Sequence, residues 1–208
     1  DCLEYMATCK DKQFELAIVD PPYGMNIAKS GSLGYDKFEP KTWDLNIPND
    51  EYFIELFRVS KNQIIWGGNY FSFIWKNACR GFICWNKLNH HDNRADLEMA
   101  WTSIDGLARY VEYMWDGNRY GTIGNIKGVG LPTIRIHPTE KPIYLYSWLL
   151  KNYAKEGDTI FDSHLGSGSS RIACYEGGFN FVGCELDREY FDASVKRFEI
   201  YKSQLKLF

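Results

Sequence analysis

The stretch Thr159-Ile160-Phe161-Asp162-Ser163-His164-Leu165-Gly166-Ser167-Gly168 decides the reading of this chain. Its first three residues form a short apolar run that reads as a buried strand. Asp162 ends the run, and Gly166 and Gly168 let the backbone bend tightly and approach a ligand closely. A helix follows from about Ser169 to Glu176 and stops at Gly177-Gly178. Phe179 to Cys184 then reads as a second strand, and Glu185 stands at its end, 17 residues past Gly168. An acid at that place can accept hydrogen bonds from ribose hydroxyls. Strand, glycine loop, helix, strand and acid together describe a nucleoside site at the carboxyl ends of a parallel sheet. The loop departs from G-x-G-x-x-G, because Ser170-Arg171 stands where the third glycine would fall. A tight strand-to-helix turn with a surface glutamate, or a dinucleotide site, are the other readings of this stretch alone.

Working outward, residues 188–204 form an amphipathic helix. Upstream, Thr139 is positioned to cap a helix that has Pro142 near its first turn and runs to Tyr153. Further strands are expected at residues 14–19, 64–66, 81–85, 97–102 and 108–115, with a helix from Asn49 or Asp50 to Val59. Residues 25–48, 86–95 and 116–135 read as loops. Alternating strands and helices indicate an α/β protein with a largely parallel twisted sheet and helices on both faces.

The strand at 14–19 runs into Asp20-Pro21-Pro22-Tyr23. Each proline fixes φ and removes an N–H, so the Pro21 carbonyl is presented rigidly beside the Asp20 carboxylate. Two acceptors without competing amide donors, next to an aromatic face, suit a planar ring carrying an exocyclic NH₂. Accepting both amine hydrogens favours a pyramidal nitrogen with a free lone pair and stabilises the positive charge that develops during attack. An ordinary Pro-Pro turn is the bland alternative.

These residues resemble the S-adenosylmethionine-dependent DNA amino-methyltransferases, which act on adenine N6 or cytosine N4. Asp20-Pro21-Pro22-Tyr23 resembles the catalytic motif of that family, and Phe161-Asp162 with Gly166-Ser167-Gly168 resembles its cofactor loop. His137-Pro138-Thr139-Glu140-Lys141-Pro142 resembles the segment flanking the methionine end of the cofactor. Ile64 to Phe71 and Ala95 to Thr102 look like segments of phage and prophage members. The tetrapeptide precedes the cofactor loop, which resembles the circularly permuted beta class. The resemblance implies a Rossmann-like methyltransferase fold in one domain, 1–208. Within it, 1–85 would be the catalytic half, 86–135 a candidate DNA-recognition region and 136–208 the cofactor half.

The resemblance also implies site residues. Asp20, Pro21, Pro22 and Tyr23 would be catalytic, with Tyr23 stacking on the target base. Asp1, Asp20, His137, Thr139, Lys141, Asp162, Ser163, Gly166, Gly168 and Glu185 would hold S-adenosylmethionine. Asp1 matches the position that contacts the cofactor's adenine amine; a solvated N-terminal Asp is the other reading. The strand expected before Asp1 is absent from this sequence. No metal is expected. Serine in place of Asp20 would have favoured cytosine, so adenine N6 is the expected target and cytosine N4 the alternative. A dinucleotide-dependent oxidoreductase or a non-enzymatic DNA-binding module are more distant alternatives.

Composition bounds the partners. The 208 residues carry 24 basic and 27 acidic side chains, a net charge of −3, which excludes a wholesale basic wrapper of nucleic acid. The charge is uneven: residues 61–135 hold nine Lys/Arg against six Asp/Glu, while 1–60 hold six against 11. Lys87, Arg94, Arg109, Arg119, Lys127 and Arg135 are therefore the candidate phosphate contacts. Double-stranded DNA with the target base flipped out is the expected substrate, with the loop at 25–48 (Tyr35, Phe38, Trp43) closing over it. A homodimer is a candidate assembly. No apolar run spans a membrane and no leader is visible. Six cysteines show no C-x-x-C spacing, which suits reduced thiols in a cytosolic protein; the resemblance implies the cytoplasm of a bacterial cell, one carrying a prophage or infected by phage.

Overall fold

A computed structural model of the chain describes residues 1–26, 41–76, 80–89, 95–116, 119–127 and 135–205. Tyr35, Phe38 and Arg94 lie outside the described residues. The order is α1 (Cys2–Thr8), β1 (Phe14–Val19), α2 (Asp50–Val59), β2 (Ser60–Trp66), β3 (Phe82–Asn86), β4 (Leu97–Thr102) and β5 (Arg109–Glu112). Then come β6 (Met114–Trp115), β7 (Tyr120–Thr122), β8 (Asn125–Lys127), α3 (Ile143–Tyr153), β9 (Thr159–Asp162), α4 (Ser169–Gly177), β10 (Asn180–Gly183) and α5 (Arg188–Leu205).

Among the described residues, seven strands make one sheet in the order β10-β9-β1-β2-β4-β3-β5. In that sheet β4 runs against its neighbours β2 and β3; the other pairings are parallel. Side chains alternate across a strand, and the two faces bury different sets. Leu16, Ile18, Ile64, Trp66 and Ile160 pack under α3 and α4 through Leu145, Leu149 and Ala173. Ala17, Val19, Ile65 and Phe161 face the opposite side, against Met6 of α1 and Tyr52, Phe53 and Leu56 of α2. The expected α/β architecture, mostly parallel with helices on both faces, is the observed one. Among the described residues no helix is long and apolar enough to cross a membrane.

The pairing of β1 with β9 positions the site. Leu16 lies beside Ile160 and Ala17 beside Phe161 in parallel register. From β1 the chain continues to β2 on one side, and from β9 it continues to β10 on the other. The crevice at such a reversal, beyond the carboxyl ends of the strands, is where open α/β sheets take ligands. Asp20 and Asp162 end these two neighbouring strands.

Several expectations on local structure are corrected. The helix expected from Thr139 begins at Ile143, with Pro142 as its N-cap. The Pro142 ring disfavours helical backbone at residue 141, and the Thr139 hydroxyl bonds His137 Nδ1 at 3.2 Å instead. The strand expected over 108–115 is split: β5 stays in the main sheet, while β6 leaves it to pair with β7. Residues 116–135, read as irregular, contain β7 and β8, joined through Gly124 at φ +76°. The helix α1 was not anticipated; the Asp1 carboxylate caps it by accepting from Leu3 N at 2.7 Å. Residues 60–63 extend β2 directly from the end of α2.

Ile64 is fully buried between β1, β4 and the α3 face. Truncation to Ile64→Ala leaves a cavity that neighbouring strands cannot close, so we expect a loss of about 3 kcal/mol of unfolding free energy in urea denaturation.

Candidate active site

Asp20 leaves the sheet at the end of β1, and the Pro-Pro pair turns Tyr23 back toward it. The Tyr23 hydroxyl donates to Asp20 Oδ1 at 2.6 Å. The backbone N–H groups of Tyr23 and Gly24 donate to Oδ1 of buried Asp44 at 3.0 and 3.1 Å, which fixes the turn. The Tyr23 ring stacks on Tyr70 with centroids 4.8 Å apart and planes 15° apart. It lies so close to Gly67 that a Cβ there would sit 2.1 Å from the ring; only glycine leaves this space. Burial, reinforced by the Asp20 charge, holds the Tyr23 hydroxyl well above its ordinary pKa. The phenol is therefore a protonated donor at neutral pH.

Behind Asp20 lies a cluster of charges. Lys141 donates from Nζ to Asp20 Oδ2 at 2.5 Å and lies 3.3 Å from the Tyr23 hydroxyl. The same ammonium is 3.2 Å from Glu98 Oε2, an ion pair without a directed hydrogen bond. Glu98 Oε1 pairs with Lys87. Only 5% of the Lys141 side chain is exposed, and the ammonium lies 5.5 Å from the centre of the Trp66 ring. Burial alone would raise the Glu98 carboxyl, but Lys141 and Lys87 outweigh it and hold it at about 2. Burial likewise disfavours the Lys141 charge, yet Asp20 and Glu98 win and raise its pKa. Glu98 and Lys141 are thus both ionised at neutral pH.

The opposite wall is the loop after β9. Gly166 (φ +49°) and Gly168 (φ +74°) both adopt left-handed backbone, which L side chains tolerate poorly. Gly166 N donates to Glu185 Oε2 at 2.7 Å and Asp187 N to Glu185 Oε1 at 2.9 Å. Tyr52, Ser163 and His164 form a hydrogen-bonded chain, with 2.6 Å from the Tyr52 hydroxyl to Ser163 Oγ and 2.8 Å on to His164 Nδ1. Arg197 of α5 donates to the Ser167 carbonyl at 2.9 Å and pairs with Glu140 at 3.0 Å, so one guanidinium joins the loop to the 136–140 segment. Burial depresses His164 to about 4. Burial, with Lys141 adding to it, depresses His137 to about 3. Both rings are neutral at pH 7.

The two walls enclose one cleft of about 1100 Å³. Asp20, Pro21, Pro22 and Tyr23 line it, as do Asp1, Ser163, Gly166, Glu185, His137, Thr139 and Lys141. Two residues grouped with these from sequence stand behind the surface. Asp162 is buried and accepts from His164 N at 3.0 Å and from the Ser170 hydroxyl at 2.6 Å. Gly168 is the N-cap residue of α4 and packs near Ser194 and Arg171. Lys141, grouped by the resemblance with the methionine end of a cofactor, directs its ammonium to Asp20.

Sequence reasoning missed Glu98, Asp44 and Tyr70. Glu98 carried a signal, being the one acid inside the apolar strand Leu97–Thr102; Asp44 and Tyr70 carried none. One phosphate candidate needs correction: Lys87 is committed to Glu98 and lies over the Trp85 ring. Trp43, expected in a closing loop, packs 5.2 Å from His137 on the cleft wall. Among the described residues no group of three or more His, Cys, Asp or Glu could hold a metal ion.

Comparison with known proteins shows the family and the fold. The sequence profile of the N6_N4_Mtase family, described as DNA methylase, matches residues 86–196. The Type II methyltransferase M1.MboII of Moraxella bovis is 24% identical over 238 residues, covering 91% of this chain and 91% of its own. The Type II methyltransferase M2.DpnII of Streptococcus pneumoniae is 38% identical over 160 residues, covering 76% of this chain and 49% of its own length. The crystal structure of the M1.HpyAVI–SAM complex superposes with a TM-score of 0.59 at 22% identity, covering 95% of this chain and 96% of that one. With more than half of its length matched, the chain belongs to the N6/N4 DNA methylase family. It is a DNA amino-methyltransferase of that family, with the tetrapeptide half preceding the glycine-loop half.

Asp162 gives a pH-dependent prediction. Burial lifts its carboxyl from an ordinary 3.8 to about 7. A raised carboxyl stabilises the fold while protonated, fully below 3.8, and this contribution is lost as pH rises through 7. Between pH 6 and 8 the group should cost about 1.4 kcal/mol of stability. Asp162→Asn keeps an acceptor for His164 N and cannot ionise, so its urea-denaturation stability should lack this decline relative to wild type.

Proposed function

We propose that the protein transfers a methyl group from S-adenosyl-L-methionine to the exocyclic N6 of adenine in double-stranded DNA. The observation that carries this reading is that the Asp20 carboxylate and the Ser163–Gly166 loop open onto the same cleft. A cofactor and a nucleobase can therefore meet there without rearrangement of the sheet.

The donor set suits the cofactor. Glu185 accepts one backbone N–H at each oxygen, which leaves lone pairs for ribose hydroxyls. Asp1 offers a second carboxylate on the cleft, and Leu186, 76% exposed, offers an apolar face beside them. His137 and Thr139 stand where the methionine end would lie. When bound, S-adenosylmethionine supplies an electrophilic methyl on a positively charged sulfur.

The remaining chemistry belongs to the chain. Asp20 and the Pro21 carbonyl accept the two N–H bonds of the amine and aim its lone pair at the methyl. The N–CH₃ bond forms as the S–CH₃ bond breaks, and the extra proton on nitrogen leaves toward Asp20 or water. Neutral His137 and His164 add no positive charge near the sulfonium. Most of the acceleration is positional, since holding two reactants in line replaces a bimolecular encounter. The target base must leave the duplex to reach this depth, and the Tyr23–Tyr70 stack is the aromatic surface against which it rests.

Asp20 supports adenine over cytosine, because the class to which the chain is similar tends to carry serine there when cytosine is the target. The test is methyl transfer from radiolabelled S-adenosylmethionine to unmodified DNA, followed by mass spectrometry of the nucleosides. N6-methyladenine is the expected product; N4-methylcytosine in its place would overturn the assignment of the base. Asp20→Ala should lose at least about 100-fold in kcat, while calorimetry with S-adenosylhomocysteine shows binding within about threefold of wild type.

A further inference from the structure

Glu98 takes no direct part in this transfer chemistry, yet the structure builds a costly arrangement around it. It sits on β4, where its neighbours Leu97, Met99, Ala100 and Trp101 are apolar, and it lines the cleft. A charge in such surroundings is strongly disfavoured unless it is paired. Glu98 is paired twice, with Lys87 through Oε1 and with Lys141 through Oε2. Lys141 in turn holds Asp20 Oδ2. The chain Lys87–Glu98–Lys141–Asp20 therefore ends on the carboxylate that meets the amine.

We propose that Glu98 is a positioning residue for the methyl-transfer site: by anchoring the Lys141 ammonium, it fixes the Asp20 carboxylate in the orientation that accepts the substrate's N–H. The inference rests on the adenine-methylation reading of the cleft.

Charge and geometry support it. An unanchored lysine has four rotatable bonds and could swing its ammonium into the cleft, taking Asp20 with it or leaving it to rotate. With Glu98 on the far side, the ammonium is held between two carboxylates and beneath the Tyr23 and Trp66 rings. The second Asp20 oxygen is oriented by the Tyr23 hydroxyl, so both oxygens are constrained. Lys141 before α3 and Tyr23 after β1 contact Asp20 directly, and Glu98 on β4, with Lys87 behind it, lies one contact further away. Asp162 at the end of β9, Tyr52 on α2 and Tyr146 on α3 lie near enough to feel the charge of Asp20. Of these, Lys141 is the cation in direct contact with it. Removing Glu98 frees that cation, and with it the Asp20 carboxylate, to move.

The experiment compares Glu98→Gln, Glu98→Asp, Lys141→Met and the double variant Glu98→Gln/Lys141→Met. It uses methyl-transfer kinetics and S-adenosylhomocysteine calorimetry. Glu98→Gln should lower kcat at least tenfold while changing S-adenosylhomocysteine affinity less than twofold. Glu98→Asp, which restores the charge, should recover at least half of that loss on a logarithmic scale. Lys141→Met should lower kcat further. The double variant should be no slower than Lys141→Met within about threefold, because Glu98 acts only through Lys141. Losses that multiply in the double variant, or equal losses in kcat and cofactor-analogue affinity, would each overturn the proposal. If Lys141→Met does not fold, the comparison of Glu98→Gln with Glu98→Asp decides alone. A wild-type protein that methylates no DNA would sink the functional reading itself; a wild-type enzyme matched in rate by Glu98→Gln would sink only the role of Glu98.

Discussion

Everything at the cleft depends on the parallel pairing of β1 with β9. Neighbouring strands lie about 4.8 Å apart, so two segments far apart in sequence deliver their terminal residues to one crevice. Asp20 follows β1 and Asp162 closes β9, and each is followed by a backbone that can be neither regular strand nor ordinary helix. After Asp20, two prolines deny hydrogen bonds to a continuing strand. After Asp162, left-handed glycines reverse the chain. The sheet supplies proximity, and the irregular residues supply the openings. A slip of the β1–β9 register by one residue would turn both sets of side chains to the wrong face.

Asp162 and Asp20 occupy equivalent strand ends, yet their surroundings push them to opposite tasks. Burial raises the Asp162 pKa, although His164 N and the Ser170 hydroxyl donate to its carboxylate and oppose the rise. Its work is internal: it organises His164 N and Ser170 at the start of α4. Asp20 faces the cleft with an ammonium on one oxygen and a phenol on the other. Buried ion pairs seldom add net stability, but removing one partner costs about 3–5 kcal/mol. That asymmetry favours retention of the whole set once it exists, and it ties stability to the same side chains that meet the substrate.

Much of this architecture is legible in the amino-acid sequence. The apolar run, glycine loop and terminal acid at 159–185 specify the strand–loop–helix unit, because glycine spacing and strand length leave few alternatives. The prolines at 21 and 22 mark the other strand end for the same reason. The resemblance then brings His137, Thr139 and Lys141 toward the same cleft, and they line it. What sequence patterns do not yield are interactions between segments distant in the chain. The bond from Lys141 to Asp20 spans 121 residues, and no periodicity encodes it. Tyr70 and Asp44 are ordinary residues until the fold sets them against Tyr23. The short strands β7 and β8 escape notice because three-residue strands have no period to detect. The phosphate candidates fail in part because a lysine reads the same in sequence whether it faces solvent or, like Lys87, a buried carboxylate.

Arg197 has a consequence for how the molecule behaves as a whole. Its guanidinium touches the Ser167 carbonyl, the Ser169 hydroxyl and the Glu140 carboxylate. The terminal helix is thereby a keystone rather than an appendage, since one of its side chains ties together two separate segments that line the crevice.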